Sequence, residues 1–190
     1  MKPNRYEIRI SGTGGQGIIT TGILLGEAAT IYDHTFAVQT QSYGPEARGG
    51  ASKTDVIISA EPIDYPKVVK PDCVAALSRE AFRLYCRGLD DSVVIIADEE
   101  SVDTLGPIGK NILCFPICKS ALDIIGNMLT TNIVLMGTII GVCDIVSYPA
   151  AEIAVATRFA HKKPALNLQA LKLGYDMGRS KKEGLLNVSA

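Results

Sequence analysis

An alternating run, Tyr6-Glu7-Ile8-Arg9-Ile10, leads into Gly12-Thr13-Gly14-Gly15-Gln16-Gly17, and beyond it Ile18, Ile23, Leu24, Ala28 and Ile31 return at helical spacing. That order of strand, glycine turn and helix is the opening of an α/β fold. The rest of the chain keeps the alternation. Strands are expected at Thr35–Gln41, Lys53–Ile58, Cys73–Leu77, Val93–Ala97 and Asn111–Phe115, and helices at Arg79–Arg87, Ala121–Met128, Asn132–Val146, Ala150–Ala160 and Ala165–Met177. Pro149 and Pro164 fall where helix starts tolerate proline. The predicted fold is therefore a mostly parallel sheet with helices on both faces, a Rossmann-like three-layer arrangement, and an all-helical C-terminal third. With three prolines, segment 59–71 reads as a loop wrapping the domain edge, and the residues from Ser180 read as a mobile tail.

Gly12, Gly14 and Gly17 satisfy the dinucleotide pattern G-x-G-x-x-G, with Gly15 and Gln16 between them. The turn bares backbone N–H groups at a helix N-terminus, where an anion is attracted. A nicotinamide site also wants an acidic residue ~20 positions on, at the end of the second strand. Here that stretch is Phe36-Ala37-Val38-Gln39-Thr40-Gln41, with Asp33 ahead of the strand. NAD is therefore disfavoured. Two readings stay open: the glycines hold a phosphate-bearing ligand or a partner carboxylate, or they only let strand and helix pack tightly.

At 190 residues, 47% of them hydrophobic, the chain is long enough for a sizeable core, and residues 1–190 are expected to form one domain. Its 19 basic and 20 acidic residues nearly cancel, which argues against nucleic acid as a partner. No run reaches the ~18 apolar residues of a membrane span, and the N-terminus lacks a secretory pattern, so a cytoplasmic protein with no membrane partner is expected. The apolar stretch from Ile133 to Val146 is broken by Asp144 and reads as a helix packed inside the domain. Cys73, Cys86, Cys114, Cys118 and Cys143 are odd in number and mostly have apolar neighbours, which suits reduced thiols. Cys114 and Cys118 have no further cysteines at cluster spacing, and His34 and His161 have no neighbouring ligands, so no metal residue is assigned. Cys118 would gain nucleophilicity if it began a helix beside Lys119, but no partner base is visible and no catalytic residue is assigned.

The second strand is followed by Gln41-Ser42-Tyr43-Gly44-Pro45-Glu46-Ala47-Arg48-Gly49-Gly50, which sets an aromatic, an acid and an arginine among glycines. Loops that follow parallel strands share the carboxyl edge of the sheet, so this loop is expected to face the first glycine turn. Tyr43, Gly44, Pro45, Glu46, Arg48, Gly49 and Gly50 thus join Gly12, Gly14, Gly15, Gln16 and Gly17 as candidate ligand-binding or subunit-interface residues. Simpler roles compete: Arg48 as a solvated residue or a partner of Glu46, Tyr43 as an interface anchor, and Asn132 as a helix N-cap.

The two motifs at this separation resemble the gamma subunit of 2-oxoacid:ferredoxin (acceptor) oxidoreductases. The likeness continues through Glu61-Pro62-Ile63-Asp64-Tyr65-Pro66, Pro71-Asp72, Thr131-Asn132-Ile133 and Asn167-Leu168-Gln169-Ala170-Leu171-Lys172-Leu173-Gly174. It implies a complex that oxidatively decarboxylates a 2-oxoacid, joins the acyl group to coenzyme A and passes two electrons to ferredoxin or another acceptor. The form of the second loop is similar to that of the 2-oxoglutarate enzymes, with pyruvate, 2-oxoisovalerate and indolepyruvate enzymes as alternatives. By the same resemblance, thiamine diphosphate with Mg lies between alpha and beta subunits, and iron–sulfur clusters lie on beta or on a ferredoxin-like subunit. This chain would then be an accessory subunit without a cofactor of its own, inactive alone. Its sequence holds no Gly-Asp-Gly of the thiamine–magnesium type, in keeping with that division. A stand-alone nucleotide-binding dehydrogenase and a purely structural scaffold remain as other readings.

Overall fold

The computed structural model describes residues 4–42, 51–102, 111–161 and 164–188. Six strands form one sheet: β1 (Arg5–Thr13), β2 (Phe36–Ser42), β3 (Ala51–Ser59), β4 (Cys73–Ala76), β5 (Val94–Asp98) and β6 (Ile112–Phe115). Their order is β2-β3-β1-β4-β5-β6, with β1, β4, β5 and β6 parallel. Only β3 runs against its neighbours, pairing antiparallel with both β1 and β2. Eight residues join β2 to β3, fewer than the dozen or so that a parallel crossover needs, so the chain returns as a hairpin.

Side-chain alternation divides the core in two. On one face Ile8, Ile10, Val56, Ile58, Cys73, Ala75, Ile96, Leu113 and Phe115 join the cluster that includes residues of the helices α1 (Ile18–Glu27), α3 (Ile117–Asp123), α4 (Thr131–Cys143), α5 (Tyr148–Arg158) and α6 (Pro164–Val188). The other face, with Val74, Ala76, Ile95 and Ala97, is covered by α2 (Arg79–Tyr85) through Ala81 and Phe82. Helices do lie on both faces, but very unequally. Segment 60–72 shares the α2 face and crosses over the interior strand β1 instead of an outer edge: Arg5 donates to the Tyr65 carbonyl (3.1 Å), and Val69 N–H donates to Glu7 (2.9 Å).

From Thr131 to Val142 every residue of α4 is buried, so this helix has no solvent side. Glycines make that possible. Gly137 and Gly141 on α4 face Gly174 and Gly178 on α6, and the two backbones meet directly. A β-carbon at Gly141 would sit 2.5 Å from the Tyr175 carbonyl oxygen, and one at Gly178 would sit 2.6 Å from that of Thr138. Asp144 then ends α4 in the left-handed region (φ 53°), where Arg179 and Lys182 of α6 hold its carboxylate at 3.0 and 2.5 Å. These contacts correct the expected tail, because α6 continues helical past Ser180 to Val188.

One other expectation shifts. The third helix begins at Ile117, immediately after β6, and not at Ala121; Gly126 (φ 75°) follows it in a conformation that favours glycine. Asp33, ahead of the second strand, holds the N-cap residue of α5: it accepts from Ser147 N–H at 2.7 Å and from its hydroxyl at 2.6 Å. The five cysteines are free thiols, of which Cys73 and Cys86 are buried. No helix among the described residues is long and apolar enough to cross a membrane.

The seam yields a paired prediction. Gly174→Ala places a methyl against the Val134 carbonyl and should lower the free energy of unfolding by about 3 kcal/mol, through overpacking with no flexible atom to yield. Gly184→Ala lies on the same helix with nothing within 4 Å, and should raise it by roughly 0.5 kcal/mol through helix propensity. Urea unfolding of the two variants measures both signs.

Candidate functional site

β1 delivers the turn to the carboxyl edge of the sheet, and the side chain of Gln16 locks it. The Gln16 carbonyl oxygen accepts from Thr13 N–H (2.7 Å) and Thr13 hydroxyl (3.0 Å), while its amide donates to the Leu77 carbonyl at the end of β4 (3.2 Å). Gln16 is thus committed inward. Gly15 (φ 89°) and Gly17 (φ 72°) supply the left-handed backbone that reverses the chain into α1. Two glycines are also closed in by neighbours: a β-carbon at Gly12 would lie 2.5 Å from Gln16 Oε1, and one at Gly17 would lie 2.9 Å from the Asn132 side chain. Around Gly14 and Gly15 there is nothing within 4 Å. Gly12 and Gly17 are therefore packed against neighbours, and Gly14 and Gly15 form an open rim.

Behind that rim α1 starts without a side-chain cap and with no acid in its first turn, so the positive end of its dipole faces the opening uncompensated. Asn132 is not an N-cap. It lies inside α4, 6% exposed, where its side-chain amide donates to the Gly17 carbonyl (3.4 Å) and its backbone carbonyl accepts from the Thr21 hydroxyl (3.0 Å). Sequence patterning missed this brace, since no local periodicity marks a contact between residues 115 positions apart.

Tyr43, Gly44, Pro45, Glu46, Arg48, Gly49 and Gly50 lie outside the described residues. The anchors of their loop are placed, however. Thr13 pairs with Ala51, and Ser42 pairs with Lys53, so both loop ends sit at the edge that carries the glycine turn. The edge is the one expected, but the geometry differs. β3 separates β2 from β1, and the loop closes a hairpin instead of following an adjacent parallel strand.

At the ends of β5 and β6, Asp98 accepts from Cys118 N–H (2.8 Å) and Glu100 N–H (3.2 Å). Cys118 does lie in the first turn of α3 beside Lys119, but its thiol is not activated. Burial first and the Asp98 carboxylate second push its thiol from 9.0 up to about 12, outweighing any pull from Lys119. Cys86 is raised to about 12 by burial. Among the described residues no three His, Cys, Asp or Glu side chains gather as metal ligands.

A mostly parallel α/β sheet presenting a braced glycine turn at its carboxyl edge defines the structural class. The sequence model of the pyruvate ferredoxin/flavodoxin oxidoreductase family matches residues 7–177, and the chain belongs to that family. It is 42% identical over 177 residues to the 2-oxoglutarate synthase subunit KorC of Methanocaldococcus jannaschii, spanning 92% of this chain and 95% of that one. The crystal structure of a keto/oxoacid ferredoxin oxidoreductase gamma subunit from Geobacter sulfurreducens superposes with a TM-score of 0.82 at 40% identity, covering 92% of this chain and 99% of that chain. The same fold recurs, at 19% identity and a TM-score of 0.82, within 32% of a chain of the 2-oxoglutarate:ferredoxin oxidoreductase of Magnetococcus marinus, solved with 2-oxoglutarate, coenzyme A and succinyl-CoA bound.

A raised thiol pKa favours the protonated folded form, so its contribution to stability is whole below pH 9 and is lost as pH climbs from 9.0 towards 12. Urea midpoints measured at pH 8 and pH 10.5 should therefore fall at the higher pH. Native Cys118 should also resist iodoacetamide at pH 8 and become fully alkylated in urea. Fast native alkylation of Cys118 would show an activated thiolate instead.

Proposed function

We propose that this chain is the gamma-type subunit of a 2-oxoglutarate:ferredoxin oxidoreductase, an oxidoreductase complex that converts the 2-oxoacid and coenzyme A to acyl-CoA and carbon dioxide and passes two electrons to ferredoxin or another acceptor. The observation that carries this reading is the end-to-end match, at 42% identity, to a subunit named for 2-oxoglutarate synthesis. The open glycine rim agrees with it, since a subunit edge of this shape accepts either a phosphate or a partner's carboxylate.

In this reading thiamine diphosphate, Mg and the iron–sulfur clusters belong to alpha, beta and ferredoxin-like partners. Two observations on the described residues support placing the metal groups elsewhere: no three potential metal ligands converge, and burial with nearby carboxylates raises the pKa of the Cys114 and Cys118 thiols. What this chain contributes is position. Gly14 and Gly15 offer backbone N–H groups, Gln16 fixes the turn, and Asn132 ties the turn to α4. The loop holding Tyr43, Gly44, Pro45, Glu46, Arg48, Gly49 and Gly50 completes the same surface, with the Arg48 guanidinium gripping a partner carboxylate or a coenzyme A phosphate through two parallel hydrogen bonds. Residues 1–190 act as one domain of a cytoplasmic complex.

Reconstitution tests the proposal. The isolated chain should be colourless and inactive, and its addition to the partner subunits should restore coenzyme A-dependent oxidation of 2-oxoglutarate, faster than that of pyruvate, 2-oxoisovalerate or indolepyruvate. Arg48→Ala should leave the melting temperature of the lone chain unchanged while weakening assembly or raising the KM for coenzyme A, with Arg48→Lys rescuing only in part. Full activity without this chain would leave the scaffold reading. Micromolar NAD binding by the lone chain would favour the dehydrogenase.

A further inference from the structure

The α2-bearing face of the sheet plays no part in the proposed activity, yet it holds a charge pattern that intramolecular pairing leaves unbalanced. Arg9 on β1 grips Asp55 on β3 with two hydrogen bonds, Nε to Oδ1 at 2.8 Å and Nη2 to Oδ2 at 3.0 Å. Lys53 donates to the same Oδ2 at 3.2 Å. Both cations lie 5.9 Å from the centre of the Tyr85 ring, whose π face attracts them. Asp55 is well buried, with its side chain 10% exposed, and Lys53 is 25% exposed. A single carboxylate therefore answers two partly desolvated cations. Among the described residues one positive charge is left over.

That surplus opens onto a cavity of about 250 Å³, lined by Thr40, Gln41, Ser42, Lys53, Asp55, Lys67 and Val68. Register explains the convergence, because Thr40 is paired with Asp55 and Ser42 with Lys53, which sets all four side chains on one face. Lys67 arrives from segment 60–72, which Arg5 and Glu7 fasten to β1, with Val68 buried beneath it. It adds a further positive charge at the rim. The hydroxyls of Thr40 and Ser42 make no hydrogen bond to other described residues, and an ammonium carries three donors, of which Lys53 spends one on Asp55. The cavity is thus rich in donors, and its one carboxylate, Asp55, is already engaged.

We propose that this cavity binds a phosphate group. A tetrahedral dianion matches the surplus charge, and its oxygens accept hydrogen bonds from several directions, as Lys53, Lys67, Thr40 and Ser42 require. At about 250 Å³ there is room for a phosphate together with the first atoms of an ester, so the source is either the free ion or the phosphomonoester of a nucleotide-type ligand.

Calorimetric titration of the full chain, at constant ionic strength with chloride as the reference, tests this independently of any oxidoreductase activity. The probes are inorganic phosphate and adenosine 3′-monophosphate. Saturable binding of at least one is expected, weakened fivefold or more by Lys67→Ala and by Lys53→Gln, with an unchanged melting temperature for Lys67→Ala because that side chain is exposed. Tighter binding of the nucleotide assigns the ester as the ligand, and equal binding assigns the free ion. Absence of saturable binding in the wild-type chain, or equal binding in both variants, overturns the site.

Discussion

The backbone contact between α4 and α6 is the constraint on which the rest of the molecule depends. A helix buried on every side cannot be stabilised by a solvated face, and its packing must be satisfied wholly by other elements. α4 meets that condition by letting α6 approach to backbone distance through Gly137, Gly141, Gly174 and Gly178, and by ending in Asp144, whose charge α6 neutralises. Glycine carries an entropic cost inside a helix. Close van der Waals contact along the seam offsets that cost, and the result is a rigid post at the centre of the helical third.

The candidate site is built on that post. Asn132 stands in the first turn of α4 and reaches the Gly17 carbonyl, while Gln16 ties the turn to the end of β4. The turn is therefore fixed from below by a strand and from the side by a helix, leaving only Gly14 and Gly15 free of close neighbours. Preorganisation of this kind reduces the ordering cost of whatever docks there. The glycines at 12 and 17 are closed in by neighbours and those at 14 and 15 are exposed, so a single short motif combines a packed base with an open rim.

Much of the fold was legible because it rests on local periodicity: all six strands fall where alternation or short apolar runs put them, and the buried helix was marked by the apolar stretch that begins at Ile133 and that Asp144 breaks. What escaped was non-local. The reversal of β3 depends on the connection length between β2 and β3 and on neighbours in the sheet, neither of which alternation records. The helical course of Ser180–Val188 escaped because its polar composition resembles a solvated tail, whereas Arg179 and Lys182 are held by a carboxylate 35 or more positions away. In the site, the strand-turn-helix order located the glycine turn, but the brace from Asn132 and the inward role of Gln16 depend on tertiary contacts alone.

Burying α4 completely has a consequence for the chain as it is made. Ile8, Ile10, Val56, Ile58, Ile96 and Leu113 form one apolar face from residues that all precede Thr131, and the cluster that closes over them includes α4, α5 and α6. During synthesis the strands emerge first, and until the last third leaves the ribosome that face has only α1 and α3 available to shield it. The helices that finish the job are consecutive, but α4 meets α6 across about 35 positions, and the pairing of β1 with β3 and β4 spans 38 to 65 positions, so both steps close long loops and are slow. The nascent chain is thus most prone to aggregation in the interval between completion of β6 and arrival of α6, which is the period when a chaperone or an already folded partner subunit has the most to shield.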